Sequence, residues 1–363
     1  MSRHNLELTI NTTALAQNMA IMRAHIGPMP HLAAVVKADG YGLGIGVVVQ
    51  VLDRAGADAF YVANLDEGIR ARVHTTKPIM VFSGVTDTDD CALYRDHALT
   101  PVINAPGQLQ IWQHTMPDLA AVLHLDTGMN RLGFSADETS ALVNDPGLVK
   151  RLALTDVISH FACSDEANHP MNEAQYTDFV GRIAALRAAG ARPFRATLAN
   201  SSGIFRAPRY HLDGVRPGLG LYGGNPTPER ANPMHPVVGL RARALQVRTT
   251  RAGETVGYSA THRFDHPTTL VTLGCGYADG LIRGLSNRGT VYWAGQPCPV
   301  VGRVSMDLIS VAVPVGVPPP ALGDWLELIG PNQSLDTLAA TAGTIGYEFL
   351  TQLSHRALRK IVS

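Results

Sequence analysis

A chain of 363 residues is long for one hydrophobic core, which predicts two domains. Its 30 basic and 30 acidic side chains balance, so nothing electrostatic calls for a nucleic-acid or anionic-membrane partner. An apolar fraction of 45% suits a soluble globular protein, no run is long enough to span a bilayer, and the start has no apolar core of signal-peptide length.

The four cysteines (Cys91, Cys163, Cys275, Cys298) are far apart and form no Cys-x-x-Cys pair, as expected of free thiols in a reducing compartment. A cytoplasmic enzyme is the expectation.

Asn11 or Thr12 can cap a first helix, Ala14–Ile26, whose apolar residues recur at three- and four-residue spacing. An alternation follows. Short apolar runs at Leu32–Val36, Ala59–Ala63, Pro78–Phe82, Thr100–Ile103, Ala120–Leu125, Asp156–Phe161, Arg195–Ala199 and Leu212–Val215 read as strands. Amphipathic segments at Val47–Arg54, Asp66–Val73, Asp87–His97, Gly107–His114, Ala136–Val143, Glu173–Ala189 and Ser201–Phe205 read as helices. Ser135 with Glu138, and Asn172 with Gln175, have capping-box spacing at two helix starts. Eight strands separated by helices over about 200 residues predict an α/β barrel of the TIM-like (β/α)8 kind. A doubly wound sheet is the alternative, because strand order is not written in one sequence.

Near Asn225–Pro236 four prolines mark a linker. Beyond it, Gly239–Thr249 and Gly253–Phe264 alternate apolar with polar residues, as half-buried antiparallel strands do. No long helical period returns until Ser334–Ala342. The expected division is residues 1–232 as the barrel and 233–363 as a mainly antiparallel β domain.

In a barrel the active site lies at the carboxyl ends of the strands. Lys37 stands at the end of the buried run Ala33–Val36, with glycines at 40, 42, 44 and 46 behind it. Asp39 and Tyr41 follow the same run. Asp126, Asn130 and Arg131 follow the fifth, His160 and Asp165 the sixth, Asn200, Ser201 and Ser202 the seventh, and Arg216 and Gly218 the eighth. Each alone is an ordinary polar residue; lysine in particular is mostly a surface residue. Together they outline a polar mouth of mixed charge.

Gly218–Gly223 matches G-x-G-x-x-G, yet Asn225-Pro226-Thr227-Pro228 cannot continue as the helix that dinucleotide binding requires. Glycines and hydroxyls after the last two strands suit a barrel phosphate site instead. No His-Glu-x-x-His, paired Cys-x-x-Cys or G-x-S-x-G occurs, so zinc and serine-hydrolase readings lack a local motif and no metal is expected. A lysine beside a phosphate cradle suggests pyridoxal phosphate.

The segment Val36-Lys37-Ala38-Asp39-Gly40-Tyr41-Gly42-Leu43-Gly44 resembles the pyridoxal-lysine motif of bacterial alanine racemases, which are fold-type III pyridoxal phosphate-dependent enzymes. The likeness continues through His124–Phe134, Ser159–Ala162, Asn200-Ser201, Val215–Gly223, Val256–Thr261, Gly276–Gly280, Gly302–Asp307 and Ile345–Glu348, in family order and over nearly the whole chain. It implies a barrel and a β domain working as a head-to-tail homodimer with shared active sites. It also implies an amino-acid substrate and D-alanine made for peptidoglycan.

The resemblance assigns roles. Lys37 would hold the cofactor and serve as the base on one face of Cα. Tyr258, from the partner's β domain, would act on the other face. Tyr41, Ser201, Gly218, Leu219 and Tyr347 would hold the phosphate, with Asn200 beside Ser201 also in the cofactor site. Arg131 and the backbone N–H of Met306, also from the partner, would receive the substrate carboxylate. Arg216 would face the pyridine nitrogen, which a guanidinium leaves unprotonated. His160 would link Arg216 to Tyr258 and tune a phenol whose free pKa is about 10. Arg303, Asp165 and Ile345 resemble the lining of the family's substrate channel, with Tyr258 and Tyr347 as its inner gate.

Two departures stand out. His124 occupies a position where the family often carries a lysine that fixes Arg131, so imidazole, a bound anion or another side chain must take that role. Ser305 stands where cysteine is common, with little expected effect. A racemase acting on serine or on a broader set of amino acids is the alternative activity. A non-catalytic pyridoxal phosphate carrier would lack the β domain, and a decarboxylase of similar architecture fits the length and motifs less well.

Overall fold

The computed structural model describes residues 4–353 and 355–363. The chain divides into two compact units, one formed by residues 16–221 and 225–234, the other by 4–15, 222–224 and 235–363. It opens with strand β1 (Leu6–Asn11) and helix α1 (Thr12–Ile26), whose first turn is capped by Asn11 Oδ1 accepting the Ala14 N–H at 2.9 Å.

The first unit is a closed barrel. Its strands are β2 (His31–Val35), β3 (Ala59–Val62), β4 (Ile79–Val81), β5 (Leu99–Ile103), β6 (Ala121–His124), β7 (Leu154–Ile158), β8 (Arg195–Thr197) and β9 (Gly214–Val215), in that order around the ring. All eight expected strands are present, within three residues of their expected ends. Continuous apolar runs suit them because both faces are covered: every residue of β3 and β4 is buried. The ring closes where β9 pairs with β2, His31 against Gly214 and Leu32 against Val215. A Cβ at Gly214 would lie 2.8 Å from the His31 carbonyl oxygen and 3.1 Å from Thr197 Cγ2, so closure at this seam needs glycine.

The helices fall in the expected gaps, with the capping box of Ser135 and Glu138 in place. The second expected box is not. Helix Pro170–Ala188 starts three residues earlier, its amino end capped by His169. Pro170 is preset for a first helical position, so the helix begins there, and Asn172 and Gln175 become buried interior residues. A further helix, Pro146–Arg151, was not expected.

The second unit is an eight-stranded sheet. Its strands are β1, β10 (Val238–Thr250), β13 (Thr268–Leu273), β14 (Thr290–Trp293), β15 (Gln296–Pro299), β16 (Ile309–Val313), β17 (Trp325–Ile329) and β18 (Leu358–Val362); β11 (Thr255–Val256) and β12 (His262–Arg263) pair separately. β1 lies between β10, antiparallel to it, and β18, parallel to it. The expected boundary therefore differs at the amino end, where residues 4–15 belong with the sheet rather than the barrel. Leu6, Leu8 and Ile10 are buried, the alternation of a strand that packs one face. Between them Glu7 is also buried, paired with Arg241 at 2.7 Å and Lys360 at 2.6 Å on the flanking strands. Gly253–Phe264 is likewise not one long strand but the hairpin β11–β12, with a 3-10 turn at Tyr258–Ala260.

Candidate active site

Lys37 follows β2 by two residues, at the carboxyl end of the strand. The glycine-rich segment behind it is one left-handed turn: φ is 53° at Ala38, 56° at Asp39, 64° at Gly40 and 55° at Tyr41. Left-handed backbone costs on the order of 1–2 kcal/mol for each non-glycine residue, so local bonds must hold it. They do. The N–H groups of Gly40, Gly42 and Gly44 donate to the carbonyls of Val36, Ala38 and Asp39 at 2.9, 2.7 and 2.8 Å. The Lys37 amine lies 5.9 Å from the centre of the Phe82 ring. Burial, then the charge of Arg131, lowers its pKa below the ordinary lysine value, while Glu67 pulls the other way. A larger share of neutral amine is available there, which is what a nucleophile or a base requires.

Arg131 is carried on a loop after β6 that Asp126 organises. Asp126 Oδ1 accepts the N–H groups of Gly128, Met129 and Asn130 at 2.9, 2.9 and 3.1 Å. The loop returns to its own strand through Phe134 N–H to the His124 carbonyl at 2.8 Å. His124 meets Asn104 Oδ1 through Nδ1 at 2.8 Å. Because the Asn104 amide NH2 donates to the carbonyls of Phe82 and Val102, its oxygen is the acceptor and His124 Nδ1 carries the proton. Burial, with Arg216 next, lowers the His124 pKa to about 4, so the ring is neutral and its Nε2 is an acceptor. The side chain at this departure from the resembled motif is thus a neutral imidazole.

His160 follows β7. Burial lowers its pKa to about 3, with Arg216, Arg131, Lys37 and His124 acting in the same direction. Its link to Arg216 is therefore one of charge, since the hydrogen bonds of that guanidinium go elsewhere. Arg216, itself 3% exposed, donates through Nη1 to the carbonyl and hydroxyl of Thr197 and through Nη2 to the carbonyls of Ser159 and Leu198. Its Nε is buried with no partner among the described residues.

Ser201 opens helix Ser201–Arg206, which Asn200 caps by accepting the Gly203 N–H at 2.9 Å. Ser201 Oγ accepts from Gly218 N–H at 2.9 Å and Gly220 N–H at 3.1 Å, which leaves its own proton for a further acceptor. Tyr41 closes on the same spot: a Cβ at Gly218 would sit 2.2 Å from the Tyr41 hydroxyl. Leu219 begins the 3-10 turn Leu219–Tyr222. The barrel thus gathers nine of the expected residues, Lys37, Tyr41, Arg131, His160, Asn200, Ser201, Arg216, Gly218 and Leu219, on segments that follow strand carboxyl ends.

Tyr258, Met306 and Tyr347 belong to the sheet unit. Tyr258 is 71% exposed on the hairpin turn and Met306 is 54% exposed on the loop before β16. That loop is fixed from behind, with Tyr277 N–H on the Ser305 carbonyl at 3.0 Å and Ala278 N–H on the Met306 carbonyl at 2.9 Å. Tyr347 lies in the first turn of helix Gly346–Gln352.

The barrel residues fit the pyridoxal phosphate that the resemblance implies. An amine of lowered pKa, an unsatisfied buried guanidinium N–H and a hydroxyl–glycine cradle correspond to its aldehyde, ring nitrogen and phosphate. Sequence reasoning missed Asn104, Gln175 and Glu67, which hold the site loops. Gln175 accepts the Ala162 N–H at 2.9 Å and donates to the His160 carbonyl at 2.9 Å and Thr127 Oγ1 at 3.3 Å. The misread capping box was the one local signal that singled out Gln175.

The alanine racemase N-terminal domain model matches residues 10–226 and the alanine racemase C-terminal domain model residues 237–361. The chain is 44% identical to an alanine racemase of Acidiphilium cryptum, covering 98% of each chain. It is 42% identical to a catabolic alanine racemase of Mesorhizobium japonicum, over 98% of this chain and 93% of that one. Among solved structures it resembles the alanine racemase of Bartonella henselae with covalently bound pyridoxal phosphate, at a TM-score of 0.93 and 33% identity over 99% of each chain. It also resembles the biosynthetic enzyme of Pseudomonas aeruginosa, at a TM-score of 0.89 and 34% identity over 99% of this chain and 100% of that one.

Proposed function

We propose the roles below from one premise: the chain belongs to the alanine racemase family, and its reaction is the interconversion of L- and D-alanine with pyridoxal phosphate as cofactor. Bound pyridoxal phosphate supplies an aldehyde that condenses with amines and a conjugated ring that takes up electrons when a bond to Cα breaks. Lys37 would hold the cofactor through its amine, and that amine would take or return the proton on one face of Cα. Its lowered pKa, caused by burial and Arg131, supports both tasks.

Tyr258 takes or returns the proton on the opposite face. Racemisation needs two groups, because a proton lost from one side is replaced from the other and a single amine cannot reach both. Arg216, whose buried Nε–H has no partner among the described residues, would donate it to the ring nitrogen, and a guanidinium would leave that nitrogen unprotonated. Tyr41, Ser201, Gly218, Leu219 and Tyr347 bind the phosphate, with Asn200 capping the helix that presents Ser201. Arg131 and the Met306 N–H bind the substrate carboxylate. Neutral His160 accepts or donates a hydrogen bond without adding charge beside Arg216.

The exposed apolar side chains of the sheet unit, Tyr258, Tyr277, Met306, Leu308 and Ile345, support a homodimer in which the partner's barrel covers them and receives Tyr258 and Met306. The physiological role we assign is supply of D-alanine for peptidoglycan in the cytoplasm. Among the described residues no helix is long and apolar enough to cross a membrane.

The observation that carries the reading is that the Lys37 amine and Arg216, with its unpartnered Nε, both act on His160 between them. The test is a panel of L- and D-alanine, serine, lysine and arginine in deuterium oxide, following exchange at Cα and loss of optical activity. Alanine should be racemised fastest, with a fall of about 10^3-fold or more in Lys37→Ala and about 10^2-fold or more in Tyr258→Phe. Faster turnover of serine or the basic amino acids would favour the broader racemase, and a fully active Lys37→Ala would remove the lysine from its role. Disruption of the gene should produce a requirement for D-alanine.

A further inference from the structure

We propose that Glu67 is a positioning residue for Lys37, clamping the left-handed turn that carries the lysine to the end of the neighbouring strand. The proposal rests on the role given to Lys37 above. Inside the turn, the N–H groups of Gly40, Gly42 and Gly44 are satisfied by local carbonyls. The Asp39 N–H is satisfied from outside, by Glu67 Oε1 at 3.1 Å. The other carboxylate oxygen, Oε2, accepts the Ala63 N–H at 2.9 Å, directly after β3.

One carboxylate therefore joins the carboxyl ends of two adjacent strands, which are already paired through Val35 and Tyr61. Glu67 is fixed in turn, because its own N–H donates to Asn64 Oδ1, the cap of helix Leu65–Arg72, at 3.0 Å. One turn on, Arg70 of the same helix pairs with Asp39 Oδ1, which also accepts the Ile45 N–H at 3.1 Å. The helix thus grips Asp39 by backbone and side chain, two residues beyond Lys37. Glu67 does a second thing to the lysine: it opposes the lowering of the amine pKa by burial and by Arg131.

Two substitutions separate this from a purely structural role. In Glu67→Gln the amide offers one oxygen and an NH2, so one of the two backbone donors loses its acceptor and the negative charge is gone. Glu67→Asp keeps the charge but is one methylene too short to span both donors. Lys37 reactivity is read on the full chain freed of cofactor, by competitive acylation with acetic anhydride at a series of pH values and mass spectrometry of the Lys37 peptide. Racemisation of alanine is read on the loaded enzyme.

For Glu67→Gln the half-acylation pH of Lys37 should fall, and kcat should drop about 10-fold or more with KM changed by less than about threefold. Glu67→Asp should lie between Glu67→Gln and the native chain on both readings. A lower melting temperature with a native Lys37 profile is what a structural role would give, and it overturns the proposal. If Glu67→Gln fails to fold, Glu67→Asp decides on the same profile. Lys37→Ala tells the two readings apart: an active Lys37→Ala defeats the lysine assignment, whereas an inactive one beside a native Glu67→Gln profile defeats only the clamp.

Discussion

Two imidazoles in the barrel mouth are kept neutral by burial and by the cations around them, His124 with a pKa of about 4 and His160 with one of about 3. In the unfolded chain each would titrate at about 6.5. A histidine whose folded pKa lies below its unfolded one takes up a proton first in the unfolded state. Its contribution is whole above about pH 6.5 and is lost as pH falls towards the folded value, by at most about 1.4 kcal/mol per pH unit for each ring. The cofactor-free protein should therefore lose stability between pH 6.5 and 4, measured by urea denaturation. His160→Gln and His124→Gln should each make that decline shallower. Unchanged slopes in both would assign the acid sensitivity to other groups. Lys37 was legible in the sequence because a strand end and a glycine run point to it. Asn104, Gln175 and Glu67 were not, because their bonds to Phe82, Ala162, His160 and Asp39 run to backbone groups 13 to 28 residues away and such partners leave no spacing to read.

The elements of the barrel were readable for a simple reason: strands covered on both faces are continuous apolar runs, and helices between them keep a 3.6-residue period. What the pattern does not encode is the partner of a strand. β1 carries an alternation typical of a half-buried sheet, yet nothing local says that its neighbours are β10 and β18. Boundaries also moved where a cap outranked spacing, as Pro170 displaced the box at Asn172. The seam between β9 and β2 gives the sharpest prediction for an element. In Gly214→Ala the new methyl meets the His31 carbonyl at 2.8 Å, and backbone on a paired strand cannot swing aside. We expect a loss on the order of 2 kcal/mol, seen as a lower urea midpoint with an unchanged slope. A native midpoint would mean that the seam relaxes freely.

For the whole molecule, the proposed assembly places Lys37 and Tyr258 of one site on different chains. Lys37→Ala and Tyr258→Ala proteins, each inactive alone, should then complement when unfolded and refolded together in equal amounts. Random pairing makes half of the dimers mixed, and each mixed dimer has one intact site, so activity should recover to about a quarter of native. No recovery, with dimers formed, would place both groups of each site on one chain.

The sheet unit carries a temporal constraint. β1 leaves the ribosome before any barrel strand, whereas β18, which pairs along it from Glu7–Leu358 to Asn11–Val362, leaves after all of them. The barrel strands are all synthesised in between, so they can close while the nascent chain is still growing. β1 must wait until every strand from β2 to β17 has been made before its second neighbour arrives, and a chain interrupted before β18 would be left with one edge of that strand unpaired and open to sticking.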